Sequence, residues 1–161
     1  MPMPCHLYLE GEKQGVIDGS CEMAGREKSI LVEEYHHSVL IPHDPQSGGP
    51  TGQRVHQPFT IVKAVDLASP LLYNALVSGE RMKSWRLDFY RIDPTGVEEL
   101  YYRIAMEEAL ITSITAYMPN CLDPKTESFP HMEEVSFTYR RIMWEHVIGT
   151  RLSEDDWLVR R

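Results

Sequence analysis

Two-residue alternation of apolar and polar side chains dominates this chain and predicts strands. Over residues 84–91, Trp85, Leu87 and Phe89 fall on one face and Ser84, Arg86 and Asp88 on the other, the period of a half-buried strand. Asp93-Pro94-Thr95-Gly96 follows. Pro in the second position and Gly in the fourth make it a β-turn by composition. Residues 97–106 then set Leu100, Tyr102, Ile104 and Met106 on one face, so the two segments predict an antiparallel hairpin. Residues 109–118 are rich in Ile and Thr and end at Pro119, a composition suited to a pleated surface. Residues 134–147 read as one long strand. Val135, Phe137 and Tyr139 share one side, and Ile142 and Trp144 share the other. That parity change predicts a bulge, or a strand whose ends face different partners. Upstream, residues 29–41 place Tyr35, His37, Val39 and Ile41 together, and residues 5–9 and 15–18 read as short strands.

One segment has the helical period. Ser69 is an N-cap candidate, Pro70 suits the first turn, Leu71, Leu72, Ala75 and Leu76 form an apolar stripe, and Gly79 is the expected terminator. About eight strands with one short helix predict a mainly β fold, an antiparallel barrel or two-sheet sandwich flanked by that helix. Residues 42–59 belong to neither pattern. Four prolines and three glycines lie there, ahead of Phe59-Thr60-Ile61-Val62. Such a stretch cannot be helical and predicts a long extended loop between strands. Long ordered loops in compact domains exist for function or contact.

Length and charge narrow the classes. A chain of 161 residues is read as one domain over residues 1–161, able to bury roughly 70% of its unfolded surface. A net charge of −8 argues against nucleic acid as a partner, because phosphate binding needs a basic face. Cys5, Cys21 and Cys121 are widely spaced with no C-x-x-C, and predict reduced thiols in a cytosolic fold. The opening Met1-Pro2-Met3-Pro4 has neither a basic nor an apolar leader region, and no run approaches the roughly 20 apolar residues of a membrane helix. Synthesis in the cytoplasm is expected, with export by another route and no membrane insertion.

No catalytic or metal-binding pattern emerges. His36 and His37 on a strand point to opposite faces and cannot share one ion without a bulge, and no carboxylate or cysteine stands at a convincing ligand spacing around them. Gly19-Ser20-Cys21 is not a nucleophile elbow. Gly48-Gly49-Pro50-Thr51-Gly52 lacks the Lys-Ser/Thr of a phosphate loop. The pairs Glu98-Glu99, Glu107-Glu108 and Glu133-Glu134 read as solvated or interface charge. No enzyme and no cofactor are expected. Arg140, Arg141, Trp144, Glu145 and His146 mix charge with an aromatic residue on one strand, the composition of a contact surface.

Several of these stretches, in order, resemble one family. They are Met1–Cys5, Glu10-Gly11 and Gln14-Gly15, Asp44-Pro45-Gln46-Ser47-Gly48, and Gly52-Gln53-Arg54-Val55-His56. Further on come Pro70-Leu71-Leu72-Tyr73-Asn74-Ala75-Leu76 with Ser78-Gly79-Glu80, and Met118-Pro119-Asn120 with Asp123-Pro124. The last are Phe137–His146, Gly149-Thr150 and Asp155-Asp156-Trp157. The chain is similar throughout to the haemolysin-coregulated proteins (Hcp) of type VI secretion systems. The resemblance implies a phage-tail-tube-like fold and hexameric rings that stack into the hollow inner tube. It also implies a spike protein at the tip, sheath proteins outside, and effector proteins carried in the lumen and secreted on sheath contraction. Asp44, Gln46, Ser47, Gly48, Gln53 and Arg54 are the expected ring-to-ring or subunit contacts. A phage-type tail tube subunit shares the same logic. A monomeric β-barrel carrier or enzyme is the third reading, and it requires a pocket of convergent polar groups.

Overall fold

The computed structural model describes residues 1–160. Along it run β1 (Cys5–Gly11), β2 (Gly15–Ile17), β3 (Ile30–Val32), β4 (Glu34–His36), β5 (Val39–Leu40), β6 (Val55–His56) and β7 (Phe59–Ala64). Helix α1 (Ser69–Ser78) follows, then β8 (Arg81–Ile92), β9 (Glu98–Glu107), β10 (Ala109–Tyr117), β11 (Met132–Thr138), β12 (Arg141–His146) and β13 (Arg151–Asp156). The fold is mainly β, a curled antiparallel sheet with one short helix, as the alternation predicts.

The predicted hairpin is β8 and β9. Asp93 Oδ1 accepts the backbone N–H groups of Thr95 and Val97 at 2.8 and 3.0 Å, and Gly96 takes a φ of 88°, a region only glycine enters freely. The register then explains the curl. Trp85 lies opposite Met106, and the same register carries past Glu108 to Met82 opposite Ala109. Thus β9 and β10 are two halves of one long strand, bent at Glu108 with its φ of 53°. Their partner is bent at the same level. Leu110 faces Thr138 in β11, and Glu107 faces Arg141 in β12.

The parity change read from residues 134–147 therefore marks a strand whose ends have different partners. β11 lies between β10 and β7, whereas β12 lies between β9 and β13. On the other side of β8, β1 pairs in antiparallel register and takes β3 as a further neighbour. One residue later β4 pairs with β7, so residues 30–36 stitch the two ends of the sheet together. The strand expected over residues 29–41 is consequently split into β3, β4 and β5, because its parts serve three different partners.

Inside lie Leu7, Ile30, Phe59, Ile61, Trp85, Leu87, Val135, Phe137 and Ile142, all essentially inaccessible. Trp85 meets Phe59 and Phe137 edge-on at ring centroid distances of 5.1 and 5.7 Å. Each such side chain contributes about 1.5–3 kcal/mol by burial. Helix α1 rests on β10 with Leu72 and Ala75 buried and stops at Gly79, φ 66°. Around that stop three separate sequence features converge. Gln14 Nε2 donates to Glu80 Oε2 at 3.0 Å and to Leu71 O at 3.1 Å, and a side chain at Gly11 would collide with the Glu80 carboxylate.

Three polar positions depart from expectation. Ala68 occupies the N-cap position in place of Ser69, because the Ser69 hydroxyl is turned inward to donate to Glu133 Oε1 at 2.6 Å. Glu133, expected in solvent, is buried beside fully buried Lys63, its cross-strand partner. Lys63 Nζ also reaches Asp66 Oδ1 at 2.9 Å and donates to Ala64 O at 3.0 Å. Asp88, on the face expected to be polar, is only 2% exposed and accepts from Arg103 Nε at 2.7 Å. The side chains of Arg86 and Arg103 close over the carboxylate, while Ser84 on the same face stays exposed.

Removing one partner of a buried pair strands the other. Glu133→Ala is expected to lower stability in urea unfolding by about 3–5 kcal/mol. Adding Lys63→Met should recover a large part of that loss.

Candidate assembly surface

The Pro/Gly-rich segment stands apart from the main sheet and doubles back on itself as a finger. Val39 pairs with His56 and Leu40 with Val55. The ladder continues through Gln57 N–H to Ser38 O at 3.0 Å, Thr51 N–H to Pro42 O at 2.8 Å and Asp44 N–H to Gly49 O at 2.8 Å. The reach expected of an extended loop is kept, but its two halves run antiparallel. What turns the chain is Asp44. Its carboxylate accepts the Gln46 N–H at 3.0 Å and the Ser47 hydroxyl at 2.9 Å, and its carbonyl accepts the Gly48 N–H at 2.8 Å. Gly48 has a φ of 73°. These bonds, the Gln46 N–H first, hold the Asp44 carboxyl below its ordinary range.

Of the six expected contact residues, Asp44, Gln46, Ser47 and Gly48 thus build the tip, with Gln46 and Ser47 open to solvent. Gln53 is exposed on the returning limb. Arg54 is already engaged within the chain. The finger also exposes a set of apolar side chains that polar-residue reasoning overlooked: Val39, Leu40, Ile41 and Val55 are 41, 44, 54 and 37% accessible. A two-stranded ribbon is marginal in water by itself, so this one needs an anchor at its base.

The anchor is a buried polar chain. Arg54 Nε and Nη2 grip Asp155 Oδ2 and Oδ1 at 2.6 and 2.9 Å, and Nη2 also donates to Asp156 O and Val159 O, each at 2.8 Å. His56 Nε2 donates to Asp155 Oδ2 at 2.7 Å. His56 Nδ1 lies 2.6 Å from Tyr139 Oη, and His37 Nε2 lies 2.7 Å from the same oxygen. Trp157 Nε1 donates to Tyr139 O at 2.6 Å, and its ring sits 5.8 Å from that of His56. The base of the finger, the bend at Tyr139–Arg140 and the end of β13 are therefore one unit.

Charge follows this geometry. Hydrogen bonding by Arg54, then by His56, brings the Asp155 carboxyl down to about 2. Burial pushes the Tyr139 phenol up, helped by the Asp155 charge, and burial followed by the nearby His56 pulls the His37 imidazole down. Elsewhere His36 bonds Glu34 at 2.6 Å on the opposite face from His37. Among the described residues no three His, Cys, Asp or Glu side chains form a metal-binding group. Burial drives the Cys5 thiol up to about 12, which suppresses its thiolate.

A family model described as "Type VI secretion system effector, Hcp" matches residues 7–146. The chain belongs to the Hcp family. The "Major exported protein" of Pseudomonas aeruginosa is 43% identical to it over 98% of this chain and 96% of its own. Among solved structures, an Hcp crystal structure superposes with a TM-score of 0.89 at 34% identity, covering 96% of this chain and 97% of that one. The secreted protein Hcp3 of Pseudomonas aeruginosa gives a TM-score of 0.80 at 36% identity, again over 96% and 97% of the two chains. Hcp proteins are secreted structural tube proteins of type VI secretion, not enzymes. In this Hcp chain the family-like stretches Gly52–His56 and Asp155-Asp156-Trp157 meet in space. The sequence signalled each stretch but not their contact, and Tyr139 and His37 drew no notice as its linkers.

Because the folded carboxyl of Asp155 titrates below its ordinary value, its contribution is complete above that ordinary value. It is lost as pH falls from about 4 towards about 2. Asp155→Asn should therefore cost about 1.5–3 kcal/mol near neutrality. In acid-unfolding curves the gap from wild type should close as pH drops through that window.

Proposed function

We propose that this chain is the structural subunit of the type VI secretion inner tube, a single tube domain over residues 1–161. It resides in the cytoplasm, closes into hexameric rings, and the rings stack into a hollow tube. A spike protein caps that tube, sheath proteins surround it, and effectors travel in its lumen when contraction exports it. Family membership and the likeness to solved Hcp structures support this reading. The observation that carries it is the finger, a ribbon fixed firmly at its base yet apolar and uncovered along its flank. A neighbouring ring supplies the missing cover, with Gln46, Ser47 and Gln53 as polar contacts. The outer edge of β13 has no strand partner among the described residues, and ring closure hides such an edge.

Deleting residues 46–52 tests the finger directly. The variant should stay folded and keep its rings in negative-stain images, while light scattering shows reduced stacking. Tubes as long as those of wild type would remove the finger from the interface. A wild-type monomer at every concentration would overturn the tube reading itself.

A further inference from the structure

The buried chain at the base of the finger has a direction fixed by its chemistry. A carboxylate only accepts, so His56 Nε2 carries the hydrogen that meets Asp155 Oδ2. In the neutral ring His56 Nδ1 is then an acceptor, and it is filled by the Tyr139 hydroxyl at 2.6 Å. Tyr139 has a single hydrogen, so its oxygen accepts from His37 Nε2 at 2.7 Å. His37 donates to Tyr139, Tyr139 to His56, and His56 to Asp155. Each hydrogen has one acceptor, and the chain crosses from the finger to the bend and on to β13.

We infer that this chain is a proton-sensitive latch: neutral, it clamps the finger to the C-terminal strand, and on taking up protons it lets the finger loosen. The inference rests on the reading of the finger as a stacking contact only for its consequence in the tube. A proton on His56 Nδ1 makes that nitrogen a donor, and Tyr139 Oη then faces two N–H groups while its own hydrogen loses its acceptor. His37 can relieve this by moving its hydrogen to Nδ1 and receiving the hydroxyl. A second proton removes that escape, because two imidazolium rings then aim at one buried oxygen. Asp155 cannot balance both, since Arg54 already shares it. Among the described residues, the other rings beside His37 are those of Phe59 and Trp144, at 5.0 and 6.3 Å. They bring no formal charge, and Glu34 is bonded to His36.

The sign follows. In a released finger His37 regains its ordinary value of 6.5, whereas burial lowers it when latched. The released state therefore takes the proton first. The clamp is complete above that ordinary value and weakens as pH falls below it.

Amide hydrogen exchange on the full-length protein, kept dilute enough to leave rings unstacked, reads this directly between about pH 7.5 and about pH 5.5. After correction for intrinsic exchange, protection at residues 38–57 should fall several-fold with acid in the wild type, while β8 and β11 stay constant. His37→Gln keeps a donor for Tyr139 but cannot titrate, and its slope should be much shallower. Tyr139→Phe removes the bridge and leaves all charges, so its finger should exchange fast even at the higher pH. A wild-type finger indifferent to pH, an undiminished slope in His37→Gln, or full finger protection in Tyr139→Phe would each overturn the latch. Stacking is followed separately with the 46–52 deletion, whose failure to shorten tubes sinks the stacking reading without touching the exchange result.

Discussion

The bend shared by two long paired strands governs this subunit. At Glu108 one strand turns, and at Tyr139–Arg140 its antiparallel partner turns at the same level. On one side of the bend the pair curls with β7, and on the other it carries β13 outward. One register runs unbroken across the bend, from Ile111 opposite Phe137 to Tyr102 opposite His146, and shifts by one residue only beyond it, between Ile111 and Ser113. Cross-strand pairing cannot slip by one residue without exchanging buried and exposed faces, so Phe137 and Ile142, inward on either side of the bend, hold it in place.

The bend also explains where the polar chain sits. Tyr139 lies just past the last residue of β11, and its hydroxyl meets His37 and His56. Its carbonyl is equally free to accept the Trp157 indole. Without the interruption, that backbone oxygen would be committed to a neighbouring strand. The finger is held because the strand beneath it breaks.

Two buried charge systems divide the labour. Lys63, Glu133, Ser69 and Asp66 tie the entry of α1 to β7 and β11, deep in the subunit. Arg54, His56 and Asp155 tie the finger to β13 near the surface. A buried ion pair adds little net stability over an apolar pair of equal shape. It does fix a unique geometry, and both systems stand where an otherwise weakly packed element leaves the sheet.

Alternation alone placed the β8–β9 hairpin, and helical spacing with Pro70 and Gly79 placed α1, because these signals are local in the chain. The parity change between Tyr139 and Ile142 was legible as a bulge or as a strand with two partners, and the structure decides for the second. Composition marked residues 42–59 as a special, non-helical segment. What the finger does with itself was not legible: the antiparallel return depends on the Asp44 turn and on pairing across many residues. Glu133 looked like a surface carboxylate because its partner Lys63 lies 70 positions away. Arg54 looked like an intermolecular contact because Asp155 lies 101 positions away. Side-chain period and turn chemistry act over a few residues and can be read directly. Which buried charge meets which is decided only when the curled sheet brings distant segments together.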